Sequence, residues 1–293
     1  MPKTTVADRV GDAAKSAGGH AVTLGKAWGF SMSVAVLGAI LLVLIHRSVY
    51  AYLLVGDQYS VDLSSLRVAD RPDWAGDALL SDLHAGGALQ GKVSIFDPGL
   101  TKKVSDYYLA NPWVSRVIAV EKEFPNKLRV KVEMRKPLVA VESKGLFILV
   151  DRDRVRLPGV YSQVPRVSTP ILKLLGVRSA APDAGKKWND ASVDAGAGVA
   201  DALLDQRIDR QLSIASIDVS RVGKGGRESE IVIWAEENVA IEWGRAESPS
   251  HPGELAVDEK ILNLKGVLMS QPHLRGVARV KVQFDDPAVI VRK

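Results

Sequence analysis

The chain has 293 residues, 46% hydrophobic and 25% charged, with 39 Lys and Arg against 34 Asp and Glu for a net charge of +5. These are globular proportions and exclude wholesale disorder, while the lack of cysteine excludes disulfides, thiolate catalysis and cysteine-ligated metals. The positive charge is interspersed rather than gathered into a basic tail, so no nucleic-acid partner is read from it.

Residues 1–26 are polar and weakly basic, as expected of a cytoplasmic tail. Residues 27–45, AWGFSMSVAVLGAILLVLI, carry no charge. As a helix they would span about 28 Å, the thickness of a bilayer's hydrocarbon core. A transmembrane helix is therefore expected over 27–47. Lys3, Arg9, Lys15 and Lys26 precede it and only Arg47 follows closely, which puts the N-terminus in the cytoplasm and the body outside. Trp28 and Phe30 at one end and Tyr50 and Tyr52 at the other suit the two interfaces. A cleaved signal peptide is the alternative, since Val49-Tyr50-Ala51 loosely fits a cleavage site. The apolar run and the segment before it are both longer than signal peptides need, which favours a retained anchor.

Residues 60–69 are expected as a first strand and 74–83 as a short helix ended by Gly86-Gly87. Asp97 then caps a helix with Pro98 at its first position, and Leu100, Val104 and Tyr108 recur every four residues. Asn111-Pro112 stops it. A strand over 113–124, a turn at Pro125-Asn126-Lys127 and a strictly alternating strand over 128–134 complete a β-α-α-β-β unit that Pro137 closes. Strands follow at 138–142 and 146–150, around Ser143-Lys144-Gly145, then at 155–157. Residues 178–198, rich in Ala, Gly, Asp and Ser, are expected as a surface loop and 198–211 as a helix. Strands are expected at 214–219, 231–234 and around Val239, Ile241 and Trp243. A helix over about 255–270 has the stripe Val257, Ile261, Leu264 and Leu268. The last strand, 277–284, should place Ala278, Val280, Val282 and Phe284 on one face and Arg279, Lys281 and Gln283 on the other.

Three groups of residues in the first unit, Asn111-Pro112-Trp113-Val114, the run from Phe124 to Val130 and Glu133-Met134-Arg135-Lys136-Pro137, resemble the POTRA module of the FtsQ/DivIB family of bacterial cell-division proteins. Leu149-Val150-Asp151 matches the family's next strand, although Arg152-Asp153-Arg154 stands where a glycine-containing turn is usual. Lys260, Leu264, Val267, Leu274, Gly276-Val277, Val280, Phe284 and Asp286-Pro287 resemble the ending of the family's β-domain. The resemblance implies an α+β protein: an N-terminal transmembrane helix, a POTRA domain at 57–137 and a mixed β-sheet domain with flanking helices at 138–293. It also implies a non-enzymatic, single-pass scaffold of the divisome in the inner membrane at the septum, which recruits and regulates septal peptidoglycan synthesis. Its partners would be FtsB/DivIC-type and FtsL-type coiled-coil proteins. The binding positions so implied are Val277, Arg279, Val280, Lys281, Val282, Gln283 and Phe284 with Val289, Ile290 and Val291 in the segment after them. Lys281 and Gln283 depart from the acidic and arginine residues expected there. Strand edges could accept a partner's strand, but the sequence leaves open whether 277–284 is an edge or an inner strand.

Nothing in the chain assembles a catalytic or metal-ligating set, and no cofactor or small-molecule substrate is expected. His20, His46, His84, His251 and His273 lack partners at ligand spacing. Gly223-Lys224-Gly225-Gly226 lacks the spacing of a phosphate loop and is expected as a hairpin turn. Asp151 and Asp153, flanked by Arg152 and Arg154, are expected as solvated turn carboxylates. Trp234 and Trp243 fit core positions, and Trp188 is left open as a sugar platform. An envelope glycan-acting enzyme using such tryptophans is one alternative. A POTRA-bearing assembly factor is another, although the residues after 137 are too few and too charged for the membrane barrel of those families.

Overall fold

The computed structural model describes residues 32–66, 68, 72–74, 89–226, 228–245 and 253–292. The expected tail, the short helix at 74–83 beyond Trp74, Trp28, Phe30, His20, His84 and His251 lie outside these residues.

Helix α1, Met32–Val55, has a mean hydropathy of 2.0 over its best window and is long and apolar enough to cross a membrane. It does not stop near residue 47. His46-Arg47-Ser48 gives way to Val49-Tyr50-Ala51-Tyr52-Leu53-Leu54-Val55, which holds no helix breaker, and the helix ends only at Gly56.

The chain divides into two compact units. One holds α1 and the residues up to Val61, with Lys92–Leu100 and Glu123–Lys127. Strands β1 (Ser60–Asp62) and β2 (Lys92–Ser94) pair in it as a two-stranded sheet. The first strand is thus far shorter than expected: a single 3-10 turn, Leu63–Ser65, interrupts it, and the Asp62 carboxylate caps that turn by accepting from the Ser64 amide.

The second unit holds the remaining described residues. Helix α2, Leu100–Leu109, buries Leu100, Val104 and Tyr108 as their spacing requires. Strands β3 (Val114–Glu123) and β4 (Lys127–Met134) form the expected hairpin, with Val130 and Val132 buried and Arg129 and Glu133 exposed. Val68 bridges Val130 in parallel.

The rest is one mixed sheet of eight strands in the order β12-β11-β10-β9-β8-β7-β5-β6. Its members are β5 (Pro137–Ser143), β6 (Leu146–Asp151), β7 (Leu172–Leu175), β8 (Ile214–Asp218), β9 (Ile231–Ala235), β10 (Val239–Gly244), β11 (Val277–Lys281) and β12 (Ala288–Val291). The β5–β7, β7–β8 and β10–β11 pairs are parallel and the others antiparallel. Helices α3 (Ala191–Asp205) and α4 (Val257–Ser270) contribute Val193, Ala197, Ala200 and Leu203 and Ile261, Leu264 and Leu268 to a single core with inward residues of the sheet. The protein is therefore α+β, with a mixed sheet and flanking helices.

The expected loop at 178–198 is corrected by α3, which starts at Ala191. Asp190 caps it, its carboxylate accepting from the amides of Ser192 and Val193. The buried stripe here is made of small residues, Gly196 and Ala197 among them, which leaves little hydrophobic contrast in the sequence. A Cβ on Gly196 would lie 2.2 Å from Leu174 Cδ1, so this helix sits closer to β7 than any larger residue would permit. Strand β7 lies where no strand is expected from the sequence.

Candidate partner-binding sheet edge

The two ends of the eight-stranded sheet differ. At β6 the chain closes its own edge: Phe147 and Tyr161 exchange backbone bonds, the Leu157 amide donates to the Leu149 carbonyl at 2.8 Å, and the Asp151 amide to the Val155 carbonyl at 3.1 Å. At the other end β12 has only β11 beside it among the described residues, with Val277 opposite Val291, Val280 opposite Val289 and Lys281 opposite Ala288. A terminal strand of this kind offers a row of backbone donors and acceptors to another chain. Its side chains suit contact, since Ile290 and Val291 are 47% and 59% exposed while Val289 packs partly on the core.

This arrangement corrects the reading of 277–284 as the last strand. Strand β11 is an inner strand between β10 and β12, it ends at Lys281, and Val277, Val280 and Val282 have no exposed surface. The expected alternation holds from Arg279 to Val282 and fails at both ends, for two reasons. A register shift separates Val277 from Arg279, and the carbonyls of residues 282–284 leave the ladder. The Asn263 amide of α4 donates to the carbonyls of Val282 and Phe284, and the Leu255 amide to that of Gln283. Gln283 is consequently buried and Phe284 half exposed, the reverse of the expected faces. Asp285-Asp286-Pro287 then returns the chain into β12, whose four residues Ala-Val-Ile-Val carry a β-branched signal that could have been found.

Arg279 and Lys281 both reach the Glu242 carboxylate, at 2.8 and 3.5 Å. They line an open concavity of about 370 Å³ together with Val232, Trp234 and Ala240. Of the ten implied binding residues, Arg279, Phe284, Ile290 and Val291 are accessible, Lys281 and Val289 partly so, and Val277, Val280, Val282 and Gln283 are not.

The other candidates take structural places. Asp151 is buried rather than solvated: its carboxylate accepts from Arg135 at 2.8 Å and from the Val155 amide at 2.7 Å. Only Asp153 stays at the surface. Arg152 and Arg154, in place of a glycine turn, tie that turn to α3 through Asp201, Asp205 and Asp194, and Arg154 takes the left-handed φ of 64° that a glycine would otherwise supply. Trp188 is buried with its indole nitrogen donating to the Ser179 hydroxyl, so it offers no platform to a sugar. Trp243 is buried and Trp234 half-buried. The glycines at 223, 225 and 226 all have positive φ in the connection between β8 and β9. Among the described residues no three of His, Cys, Asp and Glu are grouped to hold a metal.

No protein-family model matches the chain, and no curated protein does.

Proposed function

We propose that this protein is a single-pass membrane scaffold of the bacterial division apparatus, with its N-terminus in the cytoplasm and its body outside, and that it binds partners by adding their strands to β12. The observation that carries the reading is the asymmetry of the sheet: β6 is capped by the chain itself, and β12 ends the sheet with Ile290 and Val291 exposed. Strand addition draws its affinity from backbone hydrogen bonds and its specificity from side chains along the edge, here the exposed Ile290 and Val291 on opposite faces of β12. An apolar helix ahead of such a sheet, and the ordered motifs that resemble the FtsQ/DivIB family, favour an FtsB/DivIC-type coiled-coil partner held near the membrane. Such a scaffold works by a binding equilibrium, not by turnover. Residues 57–137 are read as a POTRA domain that brings the protein to the septum; α2, the β3–β4 hairpin and the parallel bridge from Val68 to Val130 support that reading.

The test is an N-terminal fluorescent fusion in dividing cells, followed by co-purification of membrane partners. A midcell band with small bitopic coiled-coil proteins that are lost on Ile290→Lys is the expected result. A uniform envelope signal with no such partners overturns the function.

A further inference from the structure

We infer that the tip of the β3–β4 hairpin is a membrane-interface anchor, with Phe124 seated among the lipid headgroups beside the point where α1 leaves the bilayer; this rests on the reading of α1 as a membrane span. Phe124 is 64% exposed. Its ring nevertheless has a fixed place, 5.5 Å from that of Phe96, which in turn meets Tyr59 edge-on at 5.1 Å. The same short segment is fastened to the last turns of α1. The Ser94 hydroxyl donates to the Leu53 carbonyl at 3.0 Å and the Tyr50 hydroxyl to the Phe96 carbonyl at 3.5 Å. All these residues belong to one compact unit.

Helical rise then sets the depth. Tyr50 lies three residues beyond Arg47 and Leu53 six, about 4.5 and 9 Å along the axis. The headgroup layer on each side of the hydrocarbon core is about 5–7 Å thick. Tyr50, which holds the Phe96 backbone, therefore lies within the headgroup layer and Leu53 at its outer margin, so the Phe96–Phe124 pair reaches headgroup level, where aromatic rings are favoured because one part of the ring contacts acyl chains and the rest stays hydrated. Val49, Tyr52 and Val55 are exposed on the same turns of α1, and Lys127 at the hairpin tip offers its ammonium to lipid phosphates. A membrane is the occupant favoured here because the helix that fixes Phe124 is itself the apolar span.

The absence of native cysteine makes single spin labels unambiguous. The full chain is reconstituted in bilayers of phosphatidylcholine and phosphatidylglycerol with a nitroxide at Asn126→Cys, which keeps Phe124, and separately at Leu41→Cys within α1. Collision rates with oxygen and with a water-soluble nickel chelate are then compared. Expected are an oxygen-favoured label at position 41 and a label at position 126 that is shielded from nickel, with the shielding lost when Phe124→Ser is added and circular dichroism unchanged. Equal nickel collisions with Phe124 and with Phe124→Ser, while the label at 41 remains in lipid, overturn the anchor and leave the span standing. Shielding at 126 that appears only on adding a membrane-protein extract also overturns it. Nickel access at 41 overturns the span and the anchor with it.

Discussion

The ammonium of Lys260, which has no exposed surface, lies 2.7 Å from Oε1 of Glu254 and donates equally closely to the backbone carbonyl of Arg245. The two residues join α4 to the segment that follows β10. Burial lowers the pKa of Lys260 and the Glu254 carboxylate opposes that shift, while the Trp243 ring lies 5.7 Å from the ammonium. The carboxylate occupies the space beside Gly244, whose φ of 85° and missing Cβ make room for it.

Removing one member of a buried pair leaves the other charged and dry, so Glu254→Ala should cost about 3–5 kcal/mol. The double change Lys260→Met with Glu254→Leu should cost less than that single one, because no charge remains. Urea unfolding of the purified full chain measures both. A single-variant loss below about 0.5 kcal/mol, the range of ordinary surface changes, would show that the pair does not hold α4 in place.

Asp190 gives α3 its start, and Asp190→Ala should cost about 1 kcal/mol. Burial by itself raises its pKa, but bonds from the hydroxyls of Ser192 and Ser179 and from the amides of Val193 and Ser192 outweigh burial and hold it below its ordinary value of 3.8. Between the folded value and 3.8 the unfolded chain binds more protons, so the charge contributes fully above 3.8 and its contribution is lost as pH falls through the folded value. The stability difference between the native chain and Asp190→Asn, followed from neutral to acid pH, should shrink over that range. A difference independent of pH would mean that the charge is not what the cap uses.

Two glycines of α3 should respond to alanine with opposite signs. At Gly198 an added Cβ would meet nothing nearer than 4.0 Å, and Gly198→Ala should stabilise by about 0.5–1 kcal/mol through helix propensity. At Gly196 the Cβ would be driven into Leu174 and Val219, and overpacking of about 1–3 kcal/mol should outweigh the same gain. Thermal melts of the two variants decide it. Equal stabilisation would show that α3 is not seated closely on β7.

Stability and partner binding should separate at the sheet edge. Val280→Ala removes buried methyl groups from β11 and should cost about 1–3 kcal/mol. Ile290→Lys changes an exposed side chain on β12, should move stability by no more than about 0.5 kcal/mol, and should abolish partner recovery by charging the edge. Recovery unaffected by Ile290→Lys in a folded chain would remove β12 as the binding edge.

The elements that could be located from sequence carry their own pattern. The uncharged run from Ala27 fixes the position of α1, the alternation from Leu128 to Met134 fixes β4 and its wet face, and the stripe from Ile261 to Leu268 fixes α4. Where the stripe is built from Gly and Ala the pattern disappears, and the first two turns of α3 have the local composition of a loop for that reason.

The candidate site was legible only in outline. That apolar residues near the C-terminus form strands follows from their β-branched side chains, which any local reading can register. Which strand is outermost does not, because an edge is defined by what lies beside a strand, and β11 becomes an inner strand only when β10 pairs it on one side and β12 returns on the other. Burial of charge follows the same rule: Asp151 is dry because Arg135, sixteen residues earlier, arrives beside it. Local side-chain chemistry thus determined the helices and strands, and long-range pairing and close packing decided the strand order, the open edge and the buried ion pairs.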